Sequence, residues 1–206
     1  MERSTKARRL HSIIGLTMLL PFFGWALTGF VFYIKPGYAQ AYESLQPRLY
    51  PLADSPQVKP DPAWLEFRLV KTALGDHLLA RTQDGWMHLD PATMRLRDQP
   101  TEEEIRRLVT DAFSINPQRY GQIERIEDKT VFTTTGVRVN IDWNRLSLQQ
   151  RGRDTDRIDL LYRIHYLQWT GIAAIDKTIG PAGLILVILL AILGVRLAVT
   201  SRREAT

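Results

Sequence analysis

The sequence predicts an α+β fold in which two transmembrane helices flank a periplasmic antiparallel-sheet domain with one packed helix. Uncharged apolar segments lie near both ends of the chain, at residues 13–34 and 178–195. Between them, apolar and polar residues alternate over short stretches, as half-buried strands require. A single amphipathic helical pattern, residues 101–113, lies among these stretches. Strands with one helix on a single face are typical of α+β domains.

The first apolar segment is long enough to cross a bilayer. Residues 13–34 contain no charge in twenty-two residues. A helix of that length spans roughly 33 Å, against a hydrocarbon core of about 30 Å. A cleaved signal peptide is the alternative, because the basic start fits and Ala39-Gln40-Ala41 has the form of a cleavage site. The apolar run exceeds the usual signal length and Lys35-Pro36 separates it from that site, so we interpret it as a retained helix.

The distribution of charge predicts the topology. Residues 1–34 carry four Lys/Arg and one Glu, residues 178–206 carry three Arg and one Glu, and residues 35–177 carry twenty of each sign. By the positive-inside rule, both termini are cytoplasmic and the central domain is periplasmic, in a bacterial inner membrane. The neutral middle lacks the basic stripe of a nucleic-acid interface. The absence of cysteine excludes disulfides and thiolate metal sites.

The chain divides into seven predicted segments. Five prolines between residues 43 and 62 exclude a regular helix there and indicate an extended spacer. We expect a basic cytoplasmic tail (residues 1–12), a transmembrane helix (13–34), a Pro-rich periplasmic linker (35–62) and the α+β domain (63–150). An interfacial helix with its charged link (151–177), a second transmembrane helix (178–200) and a cytoplasmic tail (201–206) follow.

Local signals place the elements of the α+β domain. Thr101 and Glu104 form a capping box for the amphipathic helix. Asp84-Gly85 predicts a tight hairpin between two strands. The interfacial helix is predicted over residues 158–170. Strands are expected at residues 65–71, 77–82, 86–90, 122–127, 131–135 and 137–143, with residues 146–148 continuing the last pattern.

A short internal repeat accompanies these strands. Residues 90–96 and 142–148 both run from an aspartate at a strand end, through a turn, to a leucine six positions later. The repeat predicts two related β-rich halves, with the helix at the start of the second.

Small residues on the two apolar helices are candidates for helix packing. Gly24 and Thr28 lie four positions apart on the first helix, and Gly194 and Ala198 do so on the second. Small residues at this spacing allow close helix approach, so these faces are predicted to meet, with Ala191 as an alternative partner on the second helix. Glycine that is merely tolerated in lipid is the alternative. Residues 180–183 form a partner at a better-matched depth for Thr28.

Four histidines are the candidate ligands. His77 and His88 flank the predicted hairpin, and we interpret them as surface strand residues that are too far apart to share a metal. His11 and His165 are the more informative pair, because interfacial histidines can ligate haem or carry protons. The predicted topology puts them on opposite sides of the membrane, so they cannot hold one haem within a monomer. Each could still do so with a histidine of another subunit.

Four short motifs resemble the PepSY-associated transmembrane family of bacterial membrane proteins. They are residues 9–16 (RLHSIIGL) at the first membrane entry, Thr28-Gly29-Phe30 near its exit, residues 90–94 (DPATM) and residues 161–166 (LYRIHY). Met94 stands where the family's turn usually has glycine. The resemblance implies a periplasmic PepSY-like domain that is held by membrane helices. Larger members resemble haem-binding ferric-siderophore reductases, but this chain has two membrane helices rather than four or more.

These observations predict a non-enzymatic inner-membrane protein that acts as a periplasm-facing accessory or regulatory module. No HExxH, GxSxG or Walker motif is present to begin an enzymatic interpretation. The expected partners are the lipid bilayer and another membrane or periplasmic protein, or a second copy of the chain, and no cofactor is needed. The alternative is a haem-binding component of a ferric-siderophore or metal reductase system, with His11 and His165 as ligands. Both connect the chain to iron uptake through the resemblance alone.

Overall fold

The computed structural model describes residues 2–52 and 57–203, with side chains from 5 to 52 and from 57 to 200. Pro56 of the predicted linker and residues 204–206 of the predicted tail lie outside the described residues. The chain forms two compact units, Met1–Pro36 with Arg157–Thr206, and Gly37–Asp156. The first contains the long apolar helices and is called the helical unit. The second contains the strands and is called the sheet domain.

Six helices and seven strands follow one another along the described chain. In order they are α1 Glu2–Ile34, α2 Tyr38–Ala41, β1 Glu66–Thr72, β2 Gly75–Thr82, β3 Gly85–Leu89, α3 Glu102–Phe113, α4 Pro117–Tyr120, β4 Ile123–Glu127, β5 Thr130–Thr133, β6 Arg138–Asp142, β7 Ser147–Arg151, α5 Arg153–His165 and α6 Ala173–Arg203.

The two predicted spans are confirmed as helices that are long and apolar enough to cross a membrane, over Thr5–Ile34 and Ala173–Thr200. Their large apolar side chains face outward: Leu16 on α1 is 77% exposed and Val195 on α6 is 66% exposed. A helix in the core of a soluble protein would bury such side chains. This pattern therefore supports their role as transmembrane helices.

The helices α1 and α6 pack against each other in antiparallel directions. A Cβ on Gly15 would lie 3.7 Å from Leu190, and a Cβ on Gly194 would lie 3.4 Å from His11 Cε1. Positions 11 and 15 of α1 thus meet positions 194 and 190 of α6, in reverse order. The start of α1 and the end of α6 therefore lie at the same end of this helix pair.

The sheet domain has the predicted α+β composition. It contains a three-stranded sheet in the order β1-β2-β3 and a four-stranded sheet in the order β4-β5-β6-β7, and all pairings are antiparallel. The capping box of α3 is confirmed, since Thr101 and Glu104 each bond the other's backbone N–H. The predicted apolar stripe of α3 is buried and consists of Ile105, Leu108, Val109, Ala112 and Phe113.

The internal repeat has a structural counterpart. Met94 and Leu146 both adopt left-handed backbone conformations, with φ of 58° and 49°. The carboxylate of Asp90 accepts the Thr93 N–H at 2.8 Å, and that of Asp142 accepts the Arg145 N–H at 3.1 Å. Each turn is thus an aspartate-capped reversal with the left-handed residue four positions after the aspartate. Glycine adopts such a φ without a steric penalty, whereas Met94 and Leu146 do so under strain.

Two predicted boundaries differ in the structure. The predicted interfacial helix, residues 158–170, is α5, which begins at Arg153 and ends at His165. It begins earlier because Asp154 and Asp156 suit the positive end of the helix dipole. The first part of the predicted Pro-rich linker belongs to the sheet domain. Leu45 is buried in its core and Tyr50 bridges β1 at Lys71.

Candidate functional site

The side chain of His165, at the end of α5, is held by α1. Its Nδ1 lies 2.8 Å from the Thr28 hydroxyl, and its backbone carbonyl accepts the Trp25 indole N–H at 2.6 Å. The Thr28 hydroxyl also lies 2.6 Å from the Gly24 carbonyl. His165 and Thr28 were predicted for separate roles, as a ligand and as a helix-packing residue, and the structure brings them together.

These contacts fix the tautomer of the His165 ring. The single hydroxyl hydrogen of Thr28 is donated to the Gly24 carbonyl, so Thr28 Oγ1 accepts from His165 Nδ1–H. In a neutral imidazole, Nε2 then carries the lone pair. An imidazole that is oriented through Nδ1 is the usual arrangement of a histidine that ligates a metal or accepts a proton through Nε2.

Aromatic side chains restrict the His165 ring further. The Phe32 ring on α1 lies edge-on to it, with ring centroids 5.2 Å apart, and also stacks on Tyr162 of α5 at 4.6 Å. Tyr166 packs edge-on to His165 at 5.6 Å. This enclosure leaves His165 half-buried and joins the last turns of α1 and α5.

His11 lies in a different part of the helical unit. It packs against Gly194 of α6, and its Nδ1 is buried without a hydrogen-bond partner among the described residues. Seventeen positions, roughly 26 Å of helix, separate His11 from Thr28 on α1. The structure therefore places His11 and His165 far apart within one chain.

The predicted contact between the small faces of α1 and α6 is corrected by the structure. Gly24 lies closest to Ile164 of α5 rather than to Gly194, which lies against His11. Ala198 is exposed on α6. The reason is the position of these residues along the antiparallel pair. Gly24 and Thr28 lie in the second half of α1, which meets the first half of α6, whereas Gly194 and Ala198 lie in the second half of α6. A Cβ on Gly183 would lie 2.9 Å from Leu167 and 3.7 Å from the Trp25 ring of α1.

The sheet domain contains a buried pair of histidines that the sequence analysis had assigned to the surface. His77 and His88 are 0% and 2% exposed, and His77 Nδ1 lies 2.8 Å from His88 Nε2. His77 Nε2 lies 2.8 Å from the Thr72 hydroxyl, and His88 Nδ1–H donates to the Trp143 carbonyl at 2.8 Å. This chain of hydrogen bonds links β1, β2 and β3 to the end of β6.

The strand register explains the error. The predicted two-residue turn at Asp84-Gly85 would place His88 opposite Arg81, but in the structure β2 pairs Arg81 with Trp86, so His88 lies opposite Leu79. His77 is then the diagonal neighbour of His88 on the same face of the sheet. The alternation of side chains along the strands could have indicated this burial. His77 lies on the same strand face as Leu79, and His88 lies on the same strand face as Trp86.

Burial and charge keep both histidines neutral. Desolvation, followed by the charge of Arg97, lowers the pKa of His77 to about 3. Desolvation also lowers the pKa of His88 to about 4, against the opposing effect of its hydrogen bond to Trp143. Arg97 Nη1 lies 3.1 Å from His77 Nδ1 and donates to the Asp76 carbonyl. A proton on this pair would therefore be buried beside a fixed guanidinium.

The start of α5 is fixed within the sheet domain by a buried arginine. Arg119 Nη1 lies 2.7 Å from Asp154 Oδ2, and the Arg119 side chain is only 6% exposed. Partial burial alone would raise the pKa of Asp154. The hydrogen bonds that its carboxylate accepts from the Arg119 guanidinium and from the Thr155 amide instead keep this pKa below its usual value. Gln150 joins the cluster by accepting from Arg119 and donating to the Ala41 carbonyl.

Within the described residues, no three or more His, Asp or Glu side chains converge as a metal-ion cluster would. The chain matches no family model, no curated protein and no solved structure.

Proposed function

We propose that the chain is a non-enzymatic inner-membrane protein of PepSY type, an accessory or regulatory module linked to iron or siderophore uptake. Its sheet domain faces the periplasm and both termini are cytoplasmic. The module binds a partner through the sheet domain and passes that event to the paired membrane helices. The proposal of PepSY type and of the iron link rests on the resemblance of the motifs at residues 9–16, 28–30, 90–94 and 161–166.

The observation that carries the proposal is the double anchoring of α5. Its first turn is tied to the sheet domain by the pair between Asp154 and Arg119, and its last residue is tied to α1 by Thr28. A helix is stiff along its axis, so a displacement at one anchored end reaches the other. The helix α5 is thus suited to transmit events from the sheet domain to the membrane helices.

A distance measurement between α1 and α5 tests this coupling. The chain has no cysteine, so Tyr33→Cys and Leu160→Cys, at two exposed positions, accept spin labels without further changes. In lipid nanodiscs, we expect Arg119→Gln to broaden the distance distribution between the labels. The matched control is Arg125→Gln, which breaks an exposed ion pair with Glu127 and should leave the distribution unchanged. An unchanged distribution in Arg119→Gln would contradict transmission through α5.

A haem-binding component of a ferric-siderophore or metal reductase system is the second candidate. It is favoured by the Thr28 contact, which leaves His165 Nε2 as the ring's acceptor atom. His11 is too distant to share a haem with His165 in one chain, so each would need a histidine of another subunit. Purified protein would then show a Soret band that His165→Ala loses. The accessory function predicts a blank visible spectrum in both proteins, and a histidine-dependent Soret band would contradict it.

A further inference from the structure

The sheet domain contains a pocket of about 410 Å³ above the face that carries the buried histidines. Its floor is apolar: Leu79 of β2 and Leu146 of the turn before β7 are buried, and Val70 and Trp86 pack against them. The strained turn at Leu146 directs this side chain into the core beneath the pocket. The volume lies within the range of small-molecule sites, which are typically apolar with a few polar groups.

Two arginines line this pocket, but their surroundings differ. Arg68 lies over the Trp86 ring, 5.1 Å from its centroid, and its Nε donates to Glu66 at 2.8 Å. These two contacts hold Arg68 at the wall, although its side chain is 60% exposed. Arg145 Nε forms an ion pair with Asp142 Oδ2 at 3.7 Å, a distance too long for a hydrogen bond, and its side chain is 61% exposed. Arg145 can turn to a ligand without losing a hydrogen bond.

We propose that this pocket binds a carboxylate on a compact apolar body. The apolar part would lie on Leu79, Leu146 and Trp86, and the carboxylate would bond Arg145 in the bidentate geometry that a guanidinium offers. The Arg68 guanidinium, which is paired with Glu66, also lines the pocket, and Gln46 and Ser147 supply polar contacts. This site rests on the geometry of the sheet domain alone and does not depend on how the membrane helices act.

Two sources could supply such a ligand: a free organic acid, or the C-terminus of an apolar peptide. Titration calorimetry of the full chain in nanodiscs separates them, with empty nanodiscs as the blank. The first arm uses phenylbutyrate and its neutral analogue phenylbutanol. The second arm uses the tripeptide leucyl-leucyl-phenylalanine and its C-terminal amide. Binding of the acid in either arm supports the proposal and identifies the source, provided that the neutral analogue binds about tenfold or more weakly.

Two variants test the residues of the site. Arg145→Gln should weaken binding of the acid about tenfold, the usual effect of one lost charge-assisted contact. Arg95→Gln, an exposed arginine of the related turn that does not line the pocket, is the matched control and should bind normally. Leu49→Glu adds a negative charge at an exposed position of the wall and should also weaken binding. The proposal is overturned if neither acid binds, if the neutral analogues bind equally well, or if Arg145→Gln binds as the parent does.

Discussion

Thr28 and His165 are 137 residues apart in sequence, yet Thr28 Oγ1 lies 2.8 Å from His165 Nδ1. The contact joins the second half of the first apolar helix to the helix that follows the sheet domain. It also decides which nitrogen of His165 carries the hydrogen. The orientation of the His165 ring therefore depends on one threonine hydroxyl.

Removal of that hydroxyl should destabilise the helical unit. We expect Thr28→Val to lower the free energy of unfolding by about 1 kcal/mol, because the His165 Nδ1–H loses its acceptor at a half-buried position. Thr28→Ser keeps the hydroxyl and should retain most of the stability. Thermal unfolding of the full chain in detergent measures both variants. Equal melting temperatures for Thr28→Val and Thr28→Ser would show that the hydrogen bond contributes nothing to stability.

The position of Gly24 against α5 limits the size of the side chain that residue 24 can carry. A Cβ there would lie 3.6 Å from Ile164 Cγ2, so alanine fits but leucine does not. We expect Gly24→Leu to lower the melting temperature by several degrees, as overpacking costs about 1–3 kcal/mol. Gly29 is the control on the same helix, because a Cβ there meets nothing within 4 Å. If Gly24→Leu and Gly29→Leu melt alike, then Gly24 does not pack against α5.

Acid should destabilise the sheet domain through its histidines. The pKa values of His77 and His88 are lowered to about 3 and about 4 in the fold, so the unfolded chain, with pKa values of about 6.5, binds more protons between those limits. Stability should therefore fall as the pH drops below about 6.5, by up to about 1.4 kcal/mol per pH unit for each histidine.

Melting temperatures between pH 7 and pH 5 measure this effect. Carboxyl groups with lowered pKa values titrate only below this range, so they do not contribute to the change. His88→Gln removes one titrating group and should flatten the dependence even if it lowers stability at pH 7. A parent protein with the same melting temperature at pH 7 and pH 5 would argue against a buried, neutral pair.

The strained turn at Met94 predicts a stabilising substitution. Met94→Gly should raise stability by about 0.5–1 kcal/mol, because glycine adopts a φ of 58° without the Cβ penalty. Ala92→Gly, in the same turn at a position without a positive φ, should lower stability slightly. Urea unfolding of the full chain compares the two variants. A loss of stability in Met94→Gly would mean that contacts of the Met94 side chain outweigh the strain.

Local sequence patterns were sufficient to predict most elements of the fold. The capping box at Thr101, the apolar stripe of α3 and the two apolar helices each depend on residues within a few turns of one another, so the sequence predicts them directly. The repeat from Asp90 and Asp142 was also visible, although only the structure showed that both turns need a left-handed residue.

The candidate sites depended on information that the local sequence does not contain. The contact between Thr28 and His165 requires the chain to return to α1 after the whole sheet domain. The contact between His77 and His88 depends on the register of the hairpin. The predicted turn residues were Asp84-Gly85, but the turn consists of Gln83-Asp84, and Gly85 already pairs with Thr82. The register therefore differs by two residues from the predicted one. Histidines in phase with buried leucines were the signal that could have been used.

The topology carries the central claim, because the proposed module must present its sheet domain on the side opposite both termini. Alkaline phosphatase is active only outside the cytoplasm. A fusion after Gln150, at the end of the sheet domain, should therefore be active, and a fusion after Thr206 should be inactive in cells that produce equal amounts of both. An inactive fusion after Gln150 together with an active fusion after Thr206 would contradict the account.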